Sequence, residues 1–169
     1  MKPPDAVDWD LVILKSEVET TFELLFPSPP AVNCDDWLDG ESLEIVNGVD
    51  FRRLPGLLDD ELDGVPLLAL LPFEESKYYL GGYLLKLLGT IARMRRLYPS
   101  DTPVIAMEWI GLLDFLKSEA GTGWIRKINP LRSLVTRVLD VMINTAGFEF
   151  DESTLQEIRM VRSSIEPFV

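Results

Sequence analysis

The sequence has no histidine and a single cysteine, Cys34, among its 169 residues. Without an imidazole, the chain has no Ser-His-Asp or Cys-His catalytic group and no ordinary pH switch near neutrality. One thiol forms no internal disulfide and cannot supply the thiolate set of a zinc site. We therefore predict no catalytic residues, no metal ligands and no cofactors, and we favour a non-enzymatic protein.

Long apolar runs are also missing. The longest, residues 78–92, is interrupted by Lys86 and is shorter than the ~20 apolar residues that a membrane-spanning helix needs. Residues 1–5 lack the basic and apolar regions of a secretion signal. Because a lone thiol also suits a reducing compartment, the sequence predicts a cytoplasmic protein with no membrane partner.

Basic residues are scarce in the first half of the chain. Residues 1–76 carry 18 acidic and 4 basic side chains, whereas residues 77–169 carry 10 and 12. The first part therefore has a formal net charge of −14, against −12 for the whole chain. An acidic chain argues against a nucleic-acid partner. Charge asymmetry of this kind bears on partners more than on fold.

The apolar residues follow a helical spacing along most of the chain. Length and composition fit one domain over residues 1–169, with an acidic N-terminal part (1–76) and a helical C-terminal part (77–169). We predict a mainly α fold, a bundle of about five helices. They cover Ala6–Phe26, Pro72 to about Arg96, Pro103–Glu119, Pro130–Ala146 and Ser153 to about Ile165.

A short segment near residues 43–52 has two interpretations. Asn47-Gly48 tolerates the positive φ of a type I′ turn, which predicts a short β-hairpin. The alternative is a helix over Ser42–Val46 that Gly48 terminates.

The long helix predicted from Pro72 is apolar on almost all sides. Gly81 and Gly82 inside it, together with Gly89 and Ala92, predict either a smooth strip where another helix approaches closely or a kink. Three tyrosines near its start are either core residues or aromatic anchors of an interface, because a tyrosine combines a large ring with a polar tip. They are Tyr78, Tyr79 and Tyr83.

Two acidic motifs have the spacing of metal sites. Asp35-Asp36-x-x-Asp39 resembles a magnesium–diphosphate motif, and residues 59–64 open like a calcium loop. That loop would need an acidic ligand at its twelfth position, which is Leu70. The simpler interpretation of both motifs is a solvent-exposed acidic loop.

We therefore predict that acids from residues 35–63 form a face that binds a basic partner protein. Its candidate residues are Asp35, Asp36, Asp39, Glu41, Asp59, Asp60, Glu61 and Asp63. Two alternatives stay open. One is a divalent-metal-dependent enzyme or ligand-binding helical bundle that uses carboxylates, and the other is a homo-oligomer that covers surplus apolar surface.

Basic clusters occur near predicted helix ends. One holds Arg93, Arg95 and Arg96, and another places Arg126 and Lys127 beside Trp124. Cations at a helix C-terminus complement its negative end. These bases are therefore interpreted as helix-end charges, with pairing to the acidic half as an alternative. Gly121-Thr122-Gly123 is interpreted as a helix end.

The segment Phe51–Pro55 has an aromatic-x-x-Leu-Pro pattern, and Leu70–Leu85 contains Lys-Tyr-Tyr-Leu-Gly-Gly-Tyr-Leu-Leu. Together they resemble the core of an uncharacterised family of small bacterial proteins. The resemblance implies a bacterial cytosolic protein and brings no activity or catalytic residues. Small acidic bacterial proteins of this type often serve as immunity partners, so an immunity-type inhibitor is the most concrete form of the predicted binding protein.

Overall fold

The computed structural model describes residues 9–31, 44–62, 67–96, 107–144 and 152–165. Within these ranges the chain is mainly α-helical, as predicted, and it contains no β-strand. The helices are α1 (Trp9–Leu25), α2 (Leu54–Asp59), α3 (Leu67–Leu70), α4 (Phe73–Arg96), α5 (Met107–Lys117), α6 (Glu119–Lys127), α7 (Asn129–Asn144) and α8 (Glu152–Ile165). A 3₁₀ turn, Phe51–Arg53, directly precedes α2.

The helix α1 buries most of the stripe that its spacing predicts. The apolar spacing predicts five buried residues, of which Leu11, Leu14, Val18 and Phe22 are buried and Leu25 is half-buried. The helix ends at Leu25, just before Pro27. Its buried stripe faces α4 and α7, so α1 joins an early and a late part of the chain.

The helix α4 is the centre of the structure. It packs against α1, the 3₁₀ turn, α2, α3, α5 and α7. Every residue from Tyr78 to Leu85 is buried, so this part of the helix has no solvent-facing side. A helix that is apolar all round is expected in a core. These six elements are therefore positioned by where they contact α4, and α6 and α8 pack mainly on α5 and α7.

Two glycines let neighbouring elements approach α4 closely. A Cβ atom added to Gly81 would lie 2.8 Å from Cγ of Phe22 in α1. One added to Gly82 would lie 2.6 Å from Cβ of Leu54 and 2.8 Å from the carbonyl oxygen of Phe51. Ordinary carbon contacts are ~3.5–4 Å, so no larger residue fits at either position without a shift. The close-approach interpretation is confirmed for Gly81 and Gly82 but not for Gly89, where an added Cβ would have no neighbour within 4 Å.

No hairpin forms between residues 44 and 52. Residues 44–46 are helical, residues 47–48 form a turn, and Gly48 has a φ of 73°. The N–H of Val49 donates to the carbonyl of Val46 at 2.9 Å, a local bond in place of a strand ladder. The hairpin prediction is corrected for these residues to a helical turn that ends at Gly48. A lone two-stranded hairpin is marginal in water, and here the turn is held by α4 instead.

The predicted helix over Pro103–Glu119 ends earlier, and a separate helix follows it. Ser118 adopts an extended conformation after α5, and its Oγ accepts a hydrogen bond from the N–H of Gly121 at 3.0 Å. This is the N-cap geometry of α6. Gly121 therefore lies in the first turn of a helix, and its interpretation as a helix end is wrong. A Cβ at this position would overlap the carbonyl oxygen of Phe115, which explains the glycine.

The C-terminal helices match their predicted patterns closely. Six apolar residues of α7 recur at the three- and four-residue spacing of a helix face, and all six are buried: Leu131, Leu134, Val135, Val138, Leu139 and Met142. The helix α8 adds Ile158, Val161 and Ile165 to the same core. No helix in the described ranges is both long and apolar enough to cross a membrane.

Candidate interaction surfaces

The predicted acidic face is only partly within the described residues. Asp35, Asp36, Asp39, Glu41 and Asp63 lie outside them. Asp59, Asp60 and Glu61 follow one another at the end of α2, and all three are exposed. Their turn is anchored on both sides, because Leu58 and Leu62 are fully buried. The three acids are thus held at the surface by the leucines that flank them.

The carboxylate of Asp59 already has a partner. Its Oδ1 forms an ion pair with Nζ of Lys86 in α4. The side chain of Lys86 is only 13% exposed, against 60% for Asp59. A nearly buried ammonium group requires a counter-charge, so Asp59 stabilises the packing of α2 on α4. Asp60 and Glu61 form no ion pair with the part of the chain that the structure describes.

The three tyrosines predicted as core residues or aromatic anchors lie inside the structure. Tyr78 and Tyr83 are 2% exposed, and Tyr79 is fully buried. Their rings belong to the same apolar cluster as Phe22 and Phe51. A partner that binds the surface of this structure would not contact them, so their placement fits the core interpretation.

The hydroxyl of Tyr79 holds the turn before the 3₁₀ segment. It donates a hydrogen bond to the carbonyl of Val46 at 2.5 Å and lies 3.1 Å from the carbonyl of Val49. Burial raises the pKa of Tyr79 well above its ordinary value, and the nearby Tyr78 and Asp50 raise it further. The hydroxyl therefore keeps its proton and remains a donor.

The other two tyrosine hydroxyls act as acceptors for backbone groups. Tyr78 accepts a hydrogen bond from the N–H of Phe51 at 3.1 Å, and burial raises the pKa of Tyr78. Tyr83 accepts one from the N–H of Leu67 at 3.2 Å. Buried backbone N–H groups need such partners. The three tyrosines thus fix two irregular stretches of backbone against α4.

The basic clusters are separated by the fold. Trp124 is half-buried beside Phe26 and Phe115, whereas Arg126 and Lys127 are exposed at the end of α6. Cations in a last helical turn are favourable without any ligand. Arg93 is exposed near the end of α4. Nothing in these placements brings the bases together into one site.

Within the residues that the structure describes, ion pairs link the acidic first half to later helices at two places. One is Asp59 with Lys86, and the other is Glu17 of α1 with Arg137 of α7. Elsewhere in the first half, Arg52 pairs with both Asp50 and Glu23 at 3.0 Å. Pairing between the halves therefore accounts for Glu17 and Asp59, and does not extend to Asp60 or Glu61 within the described residues.

The described residues contain no group of three or more carboxylate or thiol side chains arranged to hold a metal ion. In the calcium-like sequence from residue 59, the first acid is paired with Lys86, and the twelfth position is Leu70 in the apolar helix α3. The Asp35–Asp39 motif lies outside the described ranges.

One surface was not foreseen from the sequence. Trp9, Val12 and Ile13 of α1 are 67%, 46% and 54% exposed, and Leu24 near its end is 78% exposed. They lie on the side opposite the buried stripe, so α1 is apolar on two faces. The sequence contains the signal for this second apolar face, because these residues fall between the stripe positions and leave few polar residues in the first turns of α1. We call Trp9, Val12, Ile13 and Leu24 the outer face of α1.

Described residues line two concave regions between helices. A groove of about 250 Å³ runs between α1 and α7 and is lined by Ser16, Glu17, Thr20, Thr21, Pro130, Ser133 and Arg137. A cavity of about 310 Å³ lies among α3, α4, α5 and α6, where Phe73 and Phe115 stack at 5.8 Å. The first is rich in hydroxyl groups, and the second is mainly apolar.

No protein family, curated protein or solved structure matches this chain. The arguments for function therefore rest on the chain itself, and the resemblance to a bacterial family remains an expectation.

Proposed function

We propose that this protein is a non-enzymatic, single-domain helical binding module whose acidic face, drawn from residues 35–63, binds a basic partner protein. The observation that carries the proposal is the net charge of −14 on residues 1–76. Within that segment, Asp60 and Glu61 are exposed on a turn that buried leucines hold in place. The most concrete form is an immunity-type inhibitor that covers the basic surface of a nucleic-acid-binding or catalytic protein.

The physical basis of this proposal is electrostatic complementarity. Carboxylates gathered on one part of a surface attract a cationic partner, speed its encounter and disfavour partners of the same charge. Because exposed charges are screened by salt, such binding weakens as ionic strength rises. A rigid turn also lowers the entropy lost when the acids engage the partner.

The test is a capture experiment from the native host with graded salt elution. We expect the wild-type chain to retain a basic protein at low salt and to release it as salt rises. The double variant Asp60→Asn/Glu61→Gln and the triple variant Asp35→Asn/Asp36→Asn/Asp39→Asn should each retain less. The matched control, Asp114→Asn/Glu119→Gln, removes the same charge as the double variant from exposed positions on α5 and α6 and should behave as wild type.

Two outcomes would overturn the proposal. One is a captured partner whose retention does not depend on salt. The other is an equal loss of retention in the control variant, because the effect would then follow total charge and not the acidic face.

The rival functions are distinguished by simple measurements. A carboxylate metal site would raise the melting temperature by several degrees in calcium, magnesium or manganese, since a ligand that binds only the folded state stabilises it. The proposed binding module should show no such rise. A homo-oligomer would be detected as a higher mass in light scattering.

A further inference from the structure

We propose that the outer face of α1 is a docking surface for a basic amphipathic helix of a partner protein. Trp9, Val12 and Ile13 form its apolar end, and each is about half exposed or more. Isolated apolar residues on a surface are normal, but a contiguous group that includes a tryptophan is typical of an interface. The proposal does not depend on the acidic face, because these residues lie outside 35–63.

The shape of this face suits a helix. Trp9, Ile13, Ser16, Thr20 and Leu24 follow one side of α1 at spacings of three or four residues. Ser16 and Thr20 are small, so the backbone of a second helix can approach the middle of α1 while the apolar residues contact it at both ends. A partner helix with apolar residues at the same spacing would cover the whole length.

The groove beside the outer face favours a cationic side chain. Glu17 lies in this groove as the ion-pair partner of Arg137, and its side chain is 38% exposed. A carboxylate has two oxygens and can accept hydrogen bonds from more than one charged donor. A lysine or arginine from the partner helix can enter the groove, donate to Glu17 and also donate to the hydroxyls of Ser16 and Thr20.

The charge on α1 selects a basic partner over a second copy of this chain. Its acids are Asp10, Glu17, Glu19 and Glu23, and its single base is Lys15. Arg52 pairs with Glu23 and Arg137 pairs with Glu17, and the chain as a whole keeps a net charge of −12. Two copies of α1 would place like charges together, and an anionic membrane would repel a chain of net charge −12.

The probe is a fluorescent synthetic helix of leucine and lysine with all its leucines on one face, titrated with the full chain and followed by anisotropy. A scrambled peptide of the same composition is the peptide control. We expect the amphipathic peptide to bind and the scrambled peptide to bind much more weakly. Ile13→Asp should weaken binding by about tenfold or more. Met160→Asp changes another exposed apolar residue, on α8, and should stay within about twofold.

A second variant tests the groove. Glu17→Gln keeps the shape of the side chain and removes its charge, so it should weaken binding by about threefold and flatten its salt dependence. Glu157→Gln, which neutralises a partly exposed acid on α8, should change neither the peptide affinity nor its salt dependence. Far-UV circular dichroism melts check that all variants fold.

Several results would overturn this proposal. Two of them are an equal loss of peptide affinity in Ile13→Asp and Met160→Asp, and equal affinity of the chain for the scrambled and the amphipathic peptide. The other two are a dimer in light scattering that Ile13→Asp abolishes, and binding to vesicles that Ile13→Asp abolishes. The Asp60→Asn/Glu61→Gln variant should retain peptide binding. If it loses binding while Ile13→Asp does not, the peptide contacts the acidic face and the outer-face proposal fails.

Discussion

Tyr79 shows how one buried side chain sets both local geometry and a response to pH. Its hydroxyl donates to the carbonyl of Val46, and burial raises the pKa of this hydroxyl. In the unfolded chain the same hydroxyl would titrate near its ordinary pKa of ~10. The folded chain therefore holds a proton that the unfolded chain releases, and the difference makes stability depend on pH above that value.

We predict that the contribution of Tyr79 to the free energy of unfolding is constant below pH ~10. Above that pH the contribution falls, by up to ~1.4 kcal/mol per pH unit. The sign follows because the unfolded state binds fewer protons than the folded state in this range. Urea unfolding followed by circular dichroism between pH 8 and pH ~11 measures it.

The control for this prediction is Tyr79→Phe. It should be ~1–2 kcal/mol less stable than wild type at pH 8, because the buried carbonyl of Val46 loses one of its two donors and keeps only the N–H of Val49. Its stability should then fall less steeply above pH ~10. If wild type and variant lose stability at the same rate, Tyr79 is not the group responsible. Tyr78, whose pKa is also raised by burial, would contribute the remaining slope.

At the scale of elements, α4 depends on glycine where neighbours approach it. We predict that Gly82→Ala destabilises the fold by ~1–3 kcal/mol, because the new methyl group meets Cβ of Leu54 and the backbone carbonyl of Phe51. The measurement is the urea midpoint.

Gly89→Ala is the matched control on the same helix. A Cβ at Gly89 has no neighbour within 4 Å, so alanine should stabilise the protein by up to ~1 kcal/mol through its higher helix propensity. Opposite signs for the two substitutions would confirm that packing, and not glycine content, determines the result. Equal effects would contradict it.

The elements that were predicted correctly are those whose apolar spacing is long and regular. The apolar spacing indicates the inner face of α7 and four of the five stripe residues of α1 correctly, because periodicity over several turns shows directly which side is buried. The turn at Asn47-Gly48 was ambiguous, because its conformation depends on the hydroxyl of Tyr79, which lies 33 residues from Val46. The separation of α5 from α6 depends on Ser118 and on backbone contact with Gly121, which no local pattern shows.

The candidate surfaces were less predictable than the fold. Negative charge on the first half was evident from composition, and the structure adds that Asp59 is paired with Lys86 while Asp60 and Glu61 face solvent. Lys86 could not be paired from sequence, because the contact joins two helices. The outer face of α1 was hidden for a different reason. When one side of a helix forms a buried stripe, the sequence alone does not show whether apolar residues on the other side are exposed or also belong to the core.

At the scale of the whole molecule, a net charge of −12 opposes the folded state through self-repulsion. We predict that raising NaCl from about 20 mM to about 300 mM increases Tm by several degrees, because salt screens this repulsion more than it weakens the surface ion pairs. Thermal melts by circular dichroism measure the change. The Asp60→Asn/Glu61→Gln variant carries less charge and should gain less, and a Tm that falls with salt would show that the ion pairs outweigh the repulsion.

The position of α4 in the chain also bears on how the protein is made. The elements that precede α4 in the chain, namely α1, the 3₁₀ turn, α2 and α3, already pack against it. When α4 emerges from the ribosome, these neighbouring elements have therefore already been synthesised. The N-terminal elements can assemble on α4 during synthesis, while its contacts with α5 and α7 wait for the rest of translation, so the order of synthesis suits the order of assembly.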